Sequence, residues 1–357
     1  MGSAASTPPA PPVGDQRFNL GTFMLTCGQD LPEAHLSYRV IGELNADRSN
    51  LVLMPTSYGA WPEDLAWTVG PILDPHRWCV VVVSQFGNGR SSSPSHGHLP
   101  VSRDSWPVDH TDNLRAQIRL LEEVFRVEAP ALIYGWSMGA QQAYHWAALE
   151  PDRVGRICCL CGTARTTTHN RLFLLSLRQA LTADPHWNGS GFSAPPLQGL
   201  RTFALIYDSW AASQSFYRQG GHLQLGHASV EEYVEQAWLP AYARHDPRDL
   251  IGMLDVWLAN DLGVALHNWR GEQPRATATD EAGLAAALGL IRARTCVIAG
   301  SHDLYFTPED CAAEAALISD ARFTVLSSEQ GHRAGNPRDA PREQALIRSE
   351  LEALWTD

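Results

Sequence analysis

The chain lacks any excess of positive charge. Its 39 acidic residues outnumber its 27 basic ones, for a formal net charge of −12. Such a balance does not suit nucleic-acid binding, which needs Lys and Arg to neutralise phosphates. No apolar run approaches the ~18 uninterrupted residues of a membrane span, so neither nucleic acid nor membrane is an expected partner. Cysteine is scarce and odd in number, seven in 357 residues, which argues against a complete disulfide framework. The one Cys-x-x-Cys spacing, Cys158 to Cys161, has no second pair, and His96-Gly97-His98 is the only close histidine pair. A metal site needs such ligands to converge, so none is expected. Instead, Cys158-Cys159-Leu160-Cys161 reads as a buried strand in which cysteine serves as a small hydrophobe. The stretch 1–14 is rich in Ala, Pro and Ser and lacks the basic-then-apolar pattern of a secretion signal. It reads as a disordered tail, and the protein is expected in the cytoplasm.

What the chain does have is 44% hydrophobic and 18% charged residues, an ordinary globular composition. Leu36–Ile41 alternates like a half-buried strand. Leu51–Met54 and Cys79–Val83 are unbroken apolar runs, as strands covered on both faces should be. Asp64–Leu73 predicts a short helix. Thr111–Phe125 predicts an amphipathic one, with Leu114, Ile118 and Leu121 on one face and Thr111 or Asp112 as N-cap. Strands Ala131–Gly135, Arg156–Cys161, Thr295–Gly300 and Phe323–Ser327 follow, with helices at Gln141–Leu149, Leu284–Ile291 and Pro341–Trp355. This alternation implies an α/β fold whose mainly parallel sheet is flanked by helices. Residues 15–163 and 283–357 form its expected core. Residues 164–282 lack strand patterning, carry Trp187, Trp210, Trp238, Trp257 and Trp269, and are far too long for one crossover. They are expected to form a helical cap inserted over the active site.

The densest signal is Gly135-Trp136-Ser137-Met138-Gly139, between an apolar strand and a helix. A strand, a tight turn and a helix give Gly-x-Ser-x-Gly the meaning of a nucleophile elbow. Two later segments support it: Gly300-Ser301-His302-Asp303 and Glu329-Gln330-Gly331-His332, each just past a predicted strand. That is the edge where open α/β sheets collect their chemistry. A serine hydroxyl needs an adjacent base to act as nucleophile, and an acid must hold that base in the correct tautomer. Ser137, His332 and Asp303 fill these roles. His302 is the poorer base, because acid and base normally come from separate loops.

An oxyanion hole takes one N–H from the residue after the nucleophile, here Met138. It takes another from the loop after the third strand, which is Pro55-Thr56-Ser57-Tyr58-Gly59. Pro55 has no N–H, so Thr56 is the expected donor and Ser57 the second choice. Tyr58, Trp61, Trp136, Tyr305 and Phe306 flank these loops as candidate substrate contacts, pockets being mostly apolar. His145 and Trp146 are assigned to helix packing.

Several segments together resemble one family. Tyr134-Gly135-Trp136-Ser137-Met138-Gly139-Ala140-Gln141-Gln142 is the first; Phe86-Gly87-Asn88-Gly89 with Ser91-Ser92-Ser93-Pro94-Ser95 is the second. Arg178-Gln179-Ala180 with Ala183-Asp184-Pro185-His186-Trp187, and Asp303-Leu304-Tyr305-Phe306, complete the set. The chain thus resembles the homoserine O-acetyltransferase (MetX-like) branch of the α/β-hydrolase superfamily, from Phe18 to Leu354. The resemblance implies the α/β-hydrolase fold and a homodimer formed through the cap helices. It also implies a reaction in which Ser137 takes an acyl group, typically from acetyl-CoA, and an acceptor hydroxyl removes it.

Members acting on homoserine carry Gly-Gly-Ser-Met-Gly-Gly at the elbow, where this chain has Trp136 and Ala140. Their catalytic His is followed by an Asp that holds the substrate ammonium, whereas Arg333 follows His332 here. An Arg repels an ammonium and favours an anionic or neutral partner, so Arg333 joins the candidate substrate contacts. The chain is more similar to the divergent homoserine acetyltransferase-like hydrolases. The expected function is serine acyl transfer that hydrolyses a small ester, thioester or related acyl compound, with no cofactor. The alternative is an acyl-CoA-dependent O-acyltransferase for a small hydroxyl acceptor other than homoserine, acyl-CoA then being a co-substrate.

Overall fold

The computed structural model describes residues 14–99, 101, 105–271 and 280–356. The expected disordered tail lies, Gly14 apart, outside them. Eight strands form one sheet: β1 (Asp15–Met24), β2 (Asp30–Ile41), β3 (Leu51–Pro55), β4 (Cys79–Val83), β5 (Leu132–Trp136), β6 (Arg156–Leu160), β7 (Arg294–Gly300) and β8 (Ala321–Leu326). Their spatial order is β1-β2-β4-β3-β5-β6-β7-β8. The β1–β2 and β2–β4 pairs are antiparallel and all others parallel. The expected α/β architecture with a mainly parallel sheet is therefore the observed one.

The unbroken apolar runs follow from burial on both faces. Leu51, Leu53, Val81, Val83, Ile133, Ile157 and Val297 point into one hydrophobic cluster, which also takes in the His110–Leu120 and Met138–Leu149 helices. Their neighbours Val52, Val80, Val82, Leu132, Cys158, Leu160 and Ile298 point the other way, toward Ile347 and Leu351 of the Pro341–Ala353 helix.

Three local expectations change. β1 was not legible, because register shifts between Asn19 and Gly21 and between Gly21 and Phe23 break its alternation. The Asp64–Leu73 helix is only Pro62–Leu65 plus a 3-10 turn, Ala66–Thr68. Gly70, at φ 108°, and then Pro71 end it. The His110–Leu120 helix is capped by Asp109, not Thr111 or Asp112. The Asp109 carboxylate accepts from the Asp112 N–H, and Asp112 reciprocates at the Asp109 N–H. The remainder of that helix, Leu121–Phe125, widens into a π turn.

Between β6 and β7 the described residues form helices, the longer ones being Thr168–Thr182, Leu197–Ala211, Pro247–Leu258, Leu262–Trp269 and Glu281–Leu288. The chain leaves the core beside the point of its return. Thr166 N–H donates to Asn260 O (2.9 Å) and Leu262 N–H donates to Ala164 O (3.1 Å). The Leu262–Trp269 and Glu281–Leu288 helices already pack on Met138–Leu149, so the return to the core comes earlier than the expected boundary at 282. Buried carboxylates of Pro247–Leu258 tie this segment to the loop after β4. Asp249 accepts from the Ser95 N–H and hydroxyl (both 2.8 Å), and Asp255 accepts from Trp106 N–H (2.8 Å) and Arg178 (2.9 Å).

Candidate active site

β5 delivers the nucleophile candidate into a strained turn. Ser137 sits at φ 58°, ψ −124°, and Met138 immediately opens the following helix. A left-handed φ on a non-glycine residue costs about 1–3 kcal/mol, and its surroundings hold it there. Ser137 N–H donates to Leu160 O (2.9 Å). A Cβ on Gly135 would lie 2.2 Å from Gly139 O, and one on Gly139 would lie 2.5 Å from Pro55 O. Strand and helix come this close only because both positions are glycine.

Asp303 follows β7, and His332 sits in a 3-10 turn, Gly331–Gly335, after β8. The topology brings the three residues to one edge of the sheet. Asp303 Oδ2 lies 2.7 Å from His332 Nδ1, while its Oδ1 accepts from the Tyr305 (2.8 Å) and Phe306 (3.2 Å) N–H groups. With every carboxylate oxygen engaged, His332 donates through Nδ1 and Nε2 is left as its basic nitrogen. Ser137, Asp303 and His332 are 2%, 2% and 4% exposed, so they work in a water-poor environment. His302, by contrast, is exposed, and its Nδ1 faces Ser301 Oγ and Ser328 O.

Rings surround the imidazole. Trp136 stacks on His332 (centroids 5.2 Å, 25°), Tyr305 meets it edge-on (4.7 Å), and Phe306 lies at 5.6 Å. These three candidate contacts are therefore brought to the site, with the Tyr305 hydroxyl committed to Tyr207 O (2.7 Å). Tyr58 packs among Phe203, Tyr207 and Trp257 and donates to Leu250 O (3.0 Å). Trp61 is the exception. Arg90 and Arg244 lie over its ring at 4.0 and 4.2 Å, His245 packs at 4.7 Å, and its N–H donates to Asn88 O. Cation–π contact to two guanidiniums makes it a surface post rather than a pocket wall.

Arg333 reaches away from its own loop and donates to the Tyr233 hydroxyl (2.8 Å). Nearby, Tyr217 donates to the buried Asp208 carboxyl. Burial pushes the Asp208 carboxyl above the usual range, against the pull of the Tyr217 hydroxyl and the Arg333 charge. The guanidinium is thus engaged by the Tyr233 hydroxyl, with Asp208 close enough to feel its charge.

One expectation at the oxyanion hole is overturned. Thr56 N–H donates to Val83 O (2.9 Å), because the β3–β4 ladder pairs Pro55 with Val83 and runs one bond further. Its side-chain oxygen accepts from Gln85 N–H (3.1 Å). Thr56 has no backbone donor to spare, whereas Ser57 N–H is bonded to no acceptor among the described residues. Met138 N–H, at the first position of its helix, has no intrahelical acceptor.

Cys161, read from the sequence as a small buried hydrophobe, is buried as expected but has polar neighbours. Its sulfur, an Asp303 carboxylate oxygen and a His332 nitrogen all lie within 4.8 Å of one another, the one such group among the described residues. Burial, reinforced by the Asp303 charge, pushes its thiol well above the usual range. Asp303 Oδ2 already holds His332. The available signal was positional: Cys161 ends the apolar run directly before Gly162 and takes φ 47°. His145 and Trp146 are buried packing residues as expected. His145 Nδ1 bonds Gln141 O (2.8 Å), and Trp146 N–H donates to Gln117 (2.8 Å).

Residues 54–334 match the family described as having the alpha/beta hydrolase fold. Over 320 residues the chain is 37% identical to an ethyl acetate hydrolase of Pseudomonas veronii, covering 88% of each chain. It is 27% identical over 340 residues to a homoserine O-acetyltransferase of Bradyrhizobium diazoefficiens, covering 87% of this chain and 83% of that one. Among solved structures, the acetyl esterase MekB superposes with a TM-score of 0.84 at 34% identity, over 95% of this chain and 96% of that chain. The likeness to homoserine acetyltransferases stands, at lower identity than the likeness to these esterases. No helix among the described residues is long and apolar enough to cross a membrane. From the match over most of its length and these relatives, the chain belongs to the alpha/beta hydrolase fold family and is an enzyme of the serine-hydrolase type.

Proposed function

We propose that the protein hydrolyses small, uncharged acyl esters, acetyl esters foremost, through an acyl-enzyme on Ser137. The observation that carries this is the 2.7 Å bond between Asp303 and His332 Nδ1, which frees Nε2 to serve as base at the elbow. His332 takes the Ser137 proton as Oγ attacks the ester carbonyl. Met138 and Ser57 N–H groups stabilise the oxyanion, each donor contributing about 3–4 kcal/mol. The imidazolium, held by Asp303, returns its proton to the leaving alkoxide. Water, deprotonated by His332, then releases the acid and restores Ser137.

The acyl group is small because Trp136, Tyr305 and Phe306 crowd the imidazole. It is neutral because Arg333, the basic residue beside His332, is already engaged by the Tyr233 hydroxyl. The ethyl acetate hydrolase and acetyl esterase relatives support the same substrate class. The helical segment after β6 acts as a cap over the site. Leu172, Leu175 and Leu205, exposed on its Thr168–Thr182 and Leu197–Ala211 helices, support a homodimer through that surface. Seven unpaired cysteines suit a cytoplasmic location.

The test is intact mass after acid quenching during turnover of p-nitrophenyl acetate, alongside Ser137→Ala. Every one of the 27 basic residues is arginine, so acetyl-lysine cannot mimic the adduct. An acetyl adduct on the wild type alone supports the reading; turnover retained by Ser137→Ala refutes it. Acyl-CoA-dependent transfer is the second reading, favoured by the homoserine acetyltransferase relatives. It predicts that acetyl-CoA loads Ser137 and that a small alcohol, not water, discharges it.

A further inference from the structure

Gln85, two residues beyond β4, is fully buried and touches both arms of the oxyanion hole. Its side-chain Nε2 donates to Ser57 O (3.2 Å) and lies 3.9 Å from Met138 Sδ. Its backbone N–H donates to the Thr56 hydroxyl oxygen (3.1 Å). Residue 57 is thereby gripped on both sides, at its own carbonyl and at the residue before it, by one amino acid that also contacts the residue after the nucleophile. Meanwhile Gln85 Oε1 is buried without a hydrogen-bond partner among the described residues. An orphaned amide oxygen is a standing cost. A methionine or leucine would fill the same space without it, so packing alone does not account for a glutamine here.

We propose that Gln85 is a positioning residue for oxyanion stabilisation, setting the Ser57 peptide at the separation from Met138 at which both N–H groups meet the same oxygen. This rests on the acyl-enzyme reading of Ser137. Gln85 touches neither substrate nor Ser137 in this role. It acts through Ser57, whose carbonyl it holds together with the Ala60 N–H (3.1 Å) and whose N–H direction is set by the same short stretch of backbone. Oxyanion donors act on the tetrahedral state and hardly on the ground-state ester. Loosening the brace therefore lowers kcat and spares KM.

The experiment compares wild type, Gln85→Met and Gln85→Glu on p-nitrophenyl acetate, with a trifluoromethyl ketone as tetrahedral-state mimic. Gln85→Met keeps the shape and the contact with Met138 but has no N–H for Ser57 O. It should lose about 10- to 100-fold in kcat, the scale of a displacement near 1 Å at a reacting centre, with KM within twofold. Affinity for the ketone should fall by the same factor. Gln85→Glu should recover toward wild type as the pH is lowered, because its protonated carboxyl regains a donor for Ser57 O. A merely structural role would not give that pH-dependent rescue. A Gln85→Met kcat within threefold of wild type overturns the proposal, as does a loss carried by KM or a Gln85→Glu deficit independent of pH. If Gln85→Met does not fold, the Gln85→Glu profile decides alone. Absence of an acetyl adduct on wild-type Ser137 would overturn the acyl-enzyme reading instead, so the two failures are distinguishable.

Discussion

Gly335→Ala should damage activity more than stability, and the structure sets the scale of both. Gly335 lies three residues after His332 and faces the site from behind. A Cβ there would sit 2.6 Å from Trp136 Cδ1, 2.8 Å from Trp136 Nε1 and 2.7 Å from Cys161 Sγ. Ordinary contact begins near ~3.5 Å, so either the indole or the His332 turn must move by roughly 0.8 Å. Overpacking of this kind costs about 1–3 kcal/mol, and loss of unfolded-state freedom at glycine returns about 0.4–1 kcal/mol. The net is about 1–2 kcal/mol, or a Tm lower by roughly 1–3 °C for a chain of this size.

The catalytic loss is larger because Trp136 stacks on His332. A shift approaching 1 Å costs up to about 100-fold in kcat/KM. The assays are ester hydrolysis and thermal melting, with Gly155→Ala as control, since nothing lies within 4 Å of a Cβ there. Trp136→Ala removes both indole atoms that the new methyl would meet. The Gly335→Ala/Trp136→Ala pair should therefore be less impaired than the two single effects combined. A Gly335→Ala enzyme with kcat/KM within twofold of wild type and an unchanged Tm would refute the packing argument.

Asp303→Asn should keep its fold by circular dichroism but lose about 10⁴-fold in ester turnover, because the amide presents the wrong partner to His332 Nδ1; near-normal kinetics would mean that another acid serves. On the alkaline side, burial pushes Glu314, which accepts from the Ala164 (2.5 Å) and Arg165 (3.2 Å) N–H groups, up to about 8. A folded pKa above the unfolded one gives stability that is complete below the unfolded value and is lost as pH rises through about 8. Urea midpoints should show Glu314→Gln gaining on wild type from pH 5 to pH 9, and parallel curves would contradict this. On the acid side, burial holds His110 down to about 3 and His145 to about 4. Both bind protons more readily unfolded, so stability should fall as pH drops from the ordinary histidine range toward those values. A melting temperature flat from pH 7 to pH 4 would count against their burial.

The central strands were legible because a parallel sheet covered on both faces leaves a simple trace, unbroken Val, Leu and Ile. Ser137, Asp303 and His332 could be singled out as candidates because each lies past the end of a strand, β5, β7 and β8. β1 was not, since its bulges scramble the alternation that marks an edge strand. Thr56 was misassigned for a related reason. Pro55 looked like the end of the ladder, but a proline lacks only its own N–H, and Val83 O still takes the next one. The neighbours of Trp61 and Cys161 were not legible, because composition does not reveal them. Two arginines remote in sequence converge on the first, and a carboxylate from the loop after β7 faces the second, which is buried as expected. Gln85 carries no motif at all; its contacts exist only once β3, β4 and the elbow are assembled.

The pair of hydrogen bonds between Ala164–Thr166 and Asn260–Leu262 has a bearing on inheritance. Everything from residue 167 to 259 departs and returns through neighbouring backbone positions, and Glu314 pins the departing side with a buried carboxylate. Such a stretch is a cassette. Lengthening or shortening its outer helices leaves the pairing of β6 with β7 in register. The inner residues Asn170, Tyr207, Ser213 and Tyr233, which bond the loops after β7 and β8, are the part that must be kept. A chimaera made by exchange at 166 and 260, with those four residues retained, is the natural way to transplant one relative's selectivity onto another's reaction centre.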